Sequence, residues 1–518
     1  MNDIPEFLIE VLKKRNIKSK REIKRFLFPT LNDLSEPTII KTVEFATDEV
    51  LKSIREKQKI FIYGDGDIDG IGGVFYLIQF LKGKNVEYDF YLSSRFDDYE
   101  IEEGLVDYFL KEGYKLIILV DIGISSYKFL KKCADNNLKV IVIDHHQTEF
   151  ENLPENHIYI HPVLSGKEIE FSATALSFKL FQNLISNYSS LSLNDYICIA
   201  GLATLSENLR LVDDNRIFVK EMTKNLWNSK IKGLNLLFSR YLSDENFKVD
   251  DIKIKINPKL NAPGRFGKPL VSLNLLFEDN EKEIESLLKE IDQLDRKRYK
   301  ITKKLIKGIE KKEGFENRFL IFEDLPESMC GIIGSKLVEK FGRPFLVMSK
   351  KKNIIKGSGR APDNFNIYES LKKIKNKFLS FGGHKNAVGF AFRIENKEEI
   401  EKYWISIKID NFLKNEIYFD TEFDIENIKP EIFKYLELLE PYGKGNNPPI
   451  FLSRNVFIKE IKRINESKYW IKKGNKIFEC KILNGLKIEK GIKDIFYTPK
   501  IEKIDGYYRI YLEIKSIK

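Results

Sequence analysis

Lys59–Tyr63 (KIFIY) runs without interruption into Gly64-Asp65-Gly66-Asp67-Ile68-Asp69-Gly70. Two later runs repeat the arrangement. Leu116–Val120 (LIILV) leads into Asp121-Ile122-Gly123, and Val140–Ile143 (VIVI) leads into Asp144-His145-His146. Short apolar runs rich in branched residues, separated by helical stretches, are the pattern of βαβ units around a parallel sheet buried on both faces. Such sheets bind ligands beyond the carboxyl ends of their strands. If the three strands are neighbours, every one of these acidic clusters lands on one edge.

That edge needs a cation. Asp65, Asp67, Asp69, Asp121 and Asp144 would repel one another strongly in one cleft unless positive charge neutralised them. Hard carboxylate oxygens joined by one or two imidazoles suit Mn²⁺ or Mg²⁺. Two such ions about 4 Å apart are a recurring device for hydrolysing phosphoryl compounds. Gly66, Gly70, Gly72 and Gly73 would let the chain turn tightly and start a helix close to an anion. Each piece alone has a plainer reading. An Asp at a strand end is as often a helix cap, and a DxDxDG run can be a calcium loop. The run here directly follows a buried strand, however, and Tyr76 holds the twelfth position, where a calcium loop has Glu.

Outward from this core, the 518 residues are too many for one ordinary domain. Lys plus Arg exceed Asp plus Glu by 87 to 77, an excess that permits a polyanionic partner without requiring one. The four cysteines, Cys133, Cys198, Cys330 and Cys480, stand far apart, which excludes paired zinc-thiolate spacing and argues against disulfides. No stretch approaches about 18 apolar residues, so a soluble, cytoplasmic protein without membrane contact is expected. Residues 1–45 read as a helical lead-in, with Leu8, Val11 and Leu12 on one face. Residues 281–313 read as a long charged helix able to bridge domains. A second α/β segment follows from Phe319, with glycine-bearing loops at Gly331–Gly334, Gly357–Arg360 and Gly382-Gly383-His384. Beyond Pro449, short alternating runs such as Tyr507–Ile517 predict a small antiparallel barrel or sandwich. There Tyr469, Trp470, Tyr507, Tyr508 and Tyr511 interleave with Lys462, Arg463, Lys472, Lys473 and Arg509, which suits stacking of unpaired bases.

GDGDIDG, VDIGISS and IDHHQT, taken together, resemble the first, third and signature motifs of the DHH phosphoesterase superfamily. Later segments resemble its RecJ-type branch of single-strand-specific exonucleases. These are Asn261-Ala262-Pro263-Gly264-Arg265, Gly331–Val338 with Phe341-Gly342-Arg343-Pro344, Gly357-Ser358-Gly359-Arg360, Ser380–Gly389 and Glu440–Pro449. The resemblance covers nearly the whole chain in order. It implies two α/β domains, a parallel-sheet DHH domain and a DHH-associated domain, joined by a long helix, with a C-terminal OB-like β-barrel. The expected boundaries are a lead-in at 1–45, the DHH domain at 46–220, a helical connector at 221–315, the DHH-associated domain at 316–412 and the OB-like domain at 413–518.

By the same resemblance Asp67 and Asp69 are a metal-binding pair with Asp65 beside them, Asp121 bridges two ions, and His145 is a further ligand. His146 stands by the scissile phosphate, and Asp144 orients that loop. The fourth motif aligns with Ala203–Glu207 followed by Asn215-Arg216, and Glu207 replaces the family's Asp, setting its carboxylate one methylene further out. The second motif retains Ser94-Arg95, but Asp98-Tyr99-Glu100-Ile101 replaces its Glu-Gly-Tyr-Gly. Arg95, Ser125, Asn261, Arg265, Arg360, Gly382, Gly383 and His384 are the implied substrate-binding residues. His157 and His161 match no motif and are read as structural.

The expected activity is a Mn²⁺- or Mg²⁺-dependent exonuclease of single-stranded DNA. By analogy it works from the 5′ end, releases mononucleotides and serves repair and recombination. It is expected to be a monomer, with a single-strand-binding protein and a helicase as candidate partners. Two rivals stand beside it: a DHH-type oligoribonuclease or nucleotide phosphodiesterase, and a DHH-derived DNA-binding scaffold without catalysis.

Overall fold

The computed structural model describes residues 4–94, 101–147, 149–166, 168–188, 191–242, 247–309, 317–323, 325–408, 418–458, 468–474, 476–482, 491–504 and 507–518. The chain forms two compact units. The larger comprises Ser35–Leu209 and Glu221–Phe412, and the smaller comprises Met1–Leu34, Arg210–Lys220 and Leu413–Lys518. Among the described residues no helix is long and apolar enough to cross a membrane.

The larger unit holds two sheets. The first is built from β1 (Lys59–Gly64), β2 (Tyr88–Leu92), β3 (Tyr114–Val120), β4 (Lys139–Ile143) and β5 (Ile158–Ile160). Its order is β2-β1-β3-β4-β5 and every pairing is parallel. The three acidic strands are therefore neighbours, as the apolar runs predict. Their side chains alternate between two buried faces. Phe61, Tyr63, Ile117, Leu119, Val140 and Val142 share one core with helices Leu105–Lys111 and Tyr127–Asp135. Helices Thr42–Arg55, Ile68–Leu81 and Ala173–Tyr188 cover the other face. Burial on both faces is why the runs read as continuously apolar rather than alternating.

The second sheet contains β6 (Phe319–Phe322), β7 (Phe345–Lys351), β8 (Ile354–Arg360), β9 (Ser380–His384) and β10 (Ala387–Arg393), in the order β6-β7-β8-β10-β9. It too is covered on both faces, by Trp404 and Ile367 on one and by helix Cys330–Phe341 on the other. Helix Glu281–Ile309 joins the two halves. Its first turns bury Ile284, Leu288 and Ile291, and its last turns set Ile301, Leu305 and Ile309 against helix Cys330–Phe341.

The smaller unit is a six-stranded sheet of β11 (Thr421–Glu422), β12 (Phe451–Ile458), β13 (Lys468–Lys473), β14 (Lys476–Ile482), β15 (Gly491–Ile504) and β16 (Tyr507–Ile517). The order is β11-β12-β15-β16-β14-β13. Lys473 Nζ of β13 donates to Arg454 O of β12 at 2.8 Å, which brings the far edge back towards the start, as a barrel requires. The lead-in helices do not stand alone: Leu8, Val11, Leu12, Ile23 and Leu27 share one core with Phe451, Tyr497 and Leu512. Of the interleaved aromatics, Tyr507, Tyr508 and Trp470 are exposed while Tyr511 is buried. Arg509 pairs with Glu479, and Lys473 with Asp424. Lys462, Arg463 and the Tyr469 side chain lie outside the described residues.

Candidate metal centre

The carboxyl ends of β1, β3 and β4 converge as their register requires. Tyr63 pairs with Leu119 and Leu119 with Val142, so the three loops leave the sheet at one level. Asp67 caps helix Ile68–Leu81, its side chain accepting from Asp69 N–H at 3.0 Å. Asp69 is fully buried and accepts two backbone N–H bonds from the first turn of helix Ala173–Tyr188, from Ala173 at 2.9 Å and Thr174 at 2.7 Å. A helix N-terminus is where a carboxylate is electrostatically favoured. Burial and the Asp67 charge nevertheless push its pKa up to about 6.

Asp121 follows β3 with φ +60°, a left-handed turn that an Asp tolerates better than most residues. The turn aims its carboxylate inward. Its Oδ1 is buried without a hydrogen-bond donor and lies 3.3 Å from His145 Nε2. Burial first, then Asp69, Asp67, Asp65 and Asp144, raise its pKa well above the carboxylate range. His145 Nε2 also lies 3.5 Å from Asp69 Oδ2. Burial and the neighbouring His146 hold the His145 ring well below its usual pKa, so it is neutral and keeps a lone pair for a ligand.

Asp144 organises the signature loop. Its Oδ1 accepts from His145 N–H at 2.7 Å, His146 N–H at 3.1 Å and His146 Nδ1 at 2.7 Å, and its Oδ2 accepts from Ile124 N–H at 3.2 Å. Burial works against the charges of Asp144 and His146, but their mutual attraction outweighs it. Asp144 is held below the usual carboxylate range, and the His146 pKa rises to about 9. The two adjacent histidines are thus driven apart: one is a neutral ligand, the other a cation at neutral pH.

The second α/β domain completes the centre. His384, at the end of β9, stacks on both rings, with centroids 5.4 Å from His145 and 5.3 Å from His146. Ligand-type atoms lie within 4.8 Å of one another in four sets: Asp65-Asp67-Asp121, Asp69-Asp121-His145, Asp121-Asp144-His146 and His145-His146-His384. Asp121 belongs to three of them. A buried, donor-less carboxylate oxygen beside a neutral imidazole, surrounded by more carboxylates than the local cations balance, fits a divalent cation.

Other expected residues lie around this centre. Glu207 follows helix Ile197–Ser206, belongs to none of the four sets and raises the His146 pKa through its charge. Asn261 is a brace: its Oδ1 accepts from Ile68 N–H at 2.8 Å and its Nδ2 donates to Ser206 Oγ at 3.0 Å. It ties the acidic loop to the helix that ends at Glu207. Backbone meets backbone next to it, since a Cβ on Gly264 would lie 1.9 Å from Gly66 O. Arg265 donates to Ser328 O at 2.8 Å, just before helix Cys330–Phe341. Arg360 reaches the same turn, its Nη2 only 2.7 Å from where a Gly331 Cβ would be, and also donates to Ser358 Oγ. Gly383 has φ +134° and no room for a Cβ, while Gly382 is open to solvent. Ser125 is exposed. Arg95 and Asp98–Glu100 lie outside the described residues.

One expectation is corrected and another is extended. Gly72 and Gly73 face no anion; they let helix Ile68–Leu81 press on Thr174 and on Val120 of β3, where a Cβ would come within 2.5 Å and 2.4 Å. His161 is structural, yet it serves the site: its Nε2 donates to His146 O at 2.9 Å and its Nδ1 accepts from Val163 N–H. Two supporting groups escape a motif reading. Ser93 Oγ donates to Asp65 Oδ1 at 2.8 Å, and the Ala173–Thr174 turn holds Asp69. Only the run of small residues Ser172–Ala175 before an apolar stretch signals the latter.

Comparison with known proteins agrees with this layout. Residues 59–204 match the DHH family N-terminal domain, 317–407 the DHHA1 domain and 419–516 the RecJ OB domain. The single-stranded-DNA-specific exonuclease RecJ of Bacillus subtilis is 28% identical over 486 residues, covering 90% of this chain and 61% of the relative. The Thermus thermophilus protein of the same name is 26% identical over 454 residues, covering 85% and 66%. The chain thus spans just under two thirds of the length of these relatives. Among solved structures, RecJ in complex with Mn²⁺ from Thermus thermophilus superposes with a TM-score of 0.82 at 22% identity, over 100% of this chain and 76% of that one.

Proposed function

We propose that this chain, which matches the DHH, DHHA1 and RecJ OB domain families in order, is a metal-dependent exonuclease of single-stranded DNA. The observation that carries the reading is Asp121. It sits at the meeting point of three ligand sets, with a buried oxygen that no donor satisfies. Asp65, Asp67, Asp69, Asp121 and His145 would hold two Mn²⁺ or Mg²⁺ ions. When bound, such ions activate water and offset the charge that develops on a phosphoryl group.

The chain's own residues supply the rest. His146, kept cationic by Asp144, faces a phosphate with an N–H and holds a proton beside the developing negative charge. His384 stacks on it and limits its rotation. Asn261 and His161 hold the two loops that carry these groups. Arg265, Arg360 and the Gly382-Gly383 backbone present donors to the phosphates of a strand, with the exposed Ser125 beside them; Arg95, outside the described residues, joins this set on its motif alone. The exposed Tyr507, Tyr508 and Trp470 of the OB domain suit stacking of unpaired bases.

Polarity from the 5′ end, release of mononucleotides and a role in cytoplasmic repair and recombination follow from the motif resemblance. So does monomeric action alongside a single-strand-binding protein and a helicase. The test is incubation of purified protein with end-labelled single strands, duplex and short oligoribonucleotides, in Mn²⁺ and then EDTA. Mononucleotides should appear from the single strand alone, first from the 5′ end, and only with metal. Preferential loss of the short oligoribonucleotides would favour the phosphodiesterase rival. Tight binding without cleavage would favour the scaffold.

A further inference from the structure

Helix Glu281–Ile309 is divided by charge. Residues 281–295 carry six carboxylates and two lysines, whereas residues 296–309 carry seven Lys or Arg and no carboxylate. Four of the six carboxylates of the acidic half are answered from neighbouring segments. Glu285 pairs with Arg240, Glu290 with Lys268 at 2.6 Å, and Asp292 and Asp295 with Lys259 at 2.7 and 3.4 Å. The basic half is not. Arg298 pairs with Asp295, but the other six cations are exposed and none forms an ion pair within 4.0 Å among the described residues. A helix dipole favours cations in the last turn only. It does not account for a run that covers more than three turns.

The run also has a direction. Arg296, Lys300, Lys303 and Lys307 follow i, i+4, i+7, i+11 and form one stripe about 17 Å long. Tyr299 stands 57% exposed beside it, with Lys303 Nζ 5.7 Å from its ring centroid. At its start, Lys297 Nζ sits 4.6 Å over the Phe266 ring. Phe266 follows Gly264-Arg265, the segment packed against Gly66 of the acidic loop. Lys297, next to Arg296 in the chain, thus ties the start of the basic half to the segment packed against the acidic loop.

We propose that this stripe is a second track for single-stranded nucleic acid, gripping backbone phosphates of a strand that extends beyond the metal centre. The proposal rests on the exonuclease reading above. Cations at helical spacing with an exposed aromatic between them give sequence-independent, salt-sensitive binding of an extended strand.

The test compares full-length protein with the variant R296Q/K300Q/K303Q/K307Q. All four sites are exposed and Gln is a good helix former, so the fold should persist, and circular dichroism checks it. Anisotropy in Ca²⁺ or EDTA measures binding of strands of about 6 and about 30 nucleotides over a range of salt. The ratio of long- to short-strand affinity should fall about tenfold, and the salt slope for the long strand should shrink by about 2. A Lys/Arg exchange, R296K/K300R/K303R/K307R, should restore both. An unchanged ratio and slope would overturn the track. Absence of metal-dependent cleavage by the wild-type chain would instead overturn the exonuclease reading, so the two failures are separable.

Discussion

His145 Nε2 lies 3.3 Å from Asp121 Oδ1, an oxygen that no hydrogen bond satisfies. The pair joins a neutral ring to a carboxyl that burial and four neighbouring carboxylates keep protonated above the usual range. In the absence of a cation, protons must do the neutralising. Asp69 shows the consequence for stability: its folded pKa of about 6 exceeds the ordinary value of 3.8. Between those values the folded state binds more protons than the unfolded one, so its stability falls as pH rises from about 4 to about 6. A divalent cation replaces those protons. Depressed histidines such as His145 act in the opposite sense, so the melting temperature in EDTA should fall more steeply, or rise less, over that window in the wild type than in Asp69→Asn. The increment from Mn²⁺ should be near zero below about pH 4 and grow through about pH 7. Thermal melts with and without metal measure it. A Mn²⁺ increment independent of pH would refute the assignment.

Asp144 and His146 allow charge to be separated from geometry. Asn at position 144 keeps an oxygen for the two backbone N–H groups but loses the charge that raises the ring. Asp144→Asn should return the His146 pKa from about 9 towards the ordinary imidazole range, read by NMR titration in EDTA. Cleavage should fall about 10- to 100-fold. An unchanged His146 titration would mean that other carboxylates set its charge.

The strand-end clusters were legible because each is contiguous in sequence and the runs before them are uniformly apolar. Adjacency of β1, β3 and β4 then follows from βαβ connectivity. What the sequence hid are contacts between residues far apart along the chain. Ser93 supports Asp65 across 28 positions, and Ala173 and Thr174 hold Asp69 across more than 100. Neither pairing has a local signature. The role of Asn261 was half legible: its motif marked it as part of the site, but a phosphate contact and a brace look alike until its two hydrogen bonds are seen. The lead-in helices were read from their periodicity, yet the surface they cover lies at the opposite end of the chain.

Arg216, in the segment read as part of the fourth motif, is such a hidden contact. It is almost fully buried and donates to five backbone carbonyls: Phe26, Leu438, Leu439, Glu440 and Pro441. Phe26 and Leu438 lie in the last turns of two helices, Lys20–Leu27 and Glu431–Leu438, so one guanidinium satisfies both ends. Arg216→Met keeps volume and strands those carbonyls. It should cost about 3 kcal/mol or more within the smaller unit. Amide exchange over residues 26–28 and 438–442 should accelerate at least about 100-fold, with Arg216→Lys intermediate. Equal exchange in all three proteins would remove Arg216 from this role.

Glu207 is the last group whose part can be decided by substitution. Its backbone closes helix Ile197–Ser206, with N–H donating to Ala203 O at 3.0 Å, and Asn208 then turns left-handed at φ +49°. That geometry fixes where the side chain starts. Its charge reaches His146, but its carboxylate joins no set of ligand atoms. A ligand and an electrostatic support respond differently to change. If Glu207 supports His146, Glu207→Gln should lower the His146 pKa below its value of about 9 while Mn²⁺ affinity changes less than about tenfold. Glu207→Asp should retain the charge and fall between wild type and Gln in the NMR titration. Asp121→Asn, measured alongside, should lose far more affinity, because Asp121 lies in three of the four ligand sets. A loss of more than about 100-fold in Mn²⁺ affinity for Glu207→Gln, by calorimetric titration, would make Glu207 a ligand reached by its longer side chain.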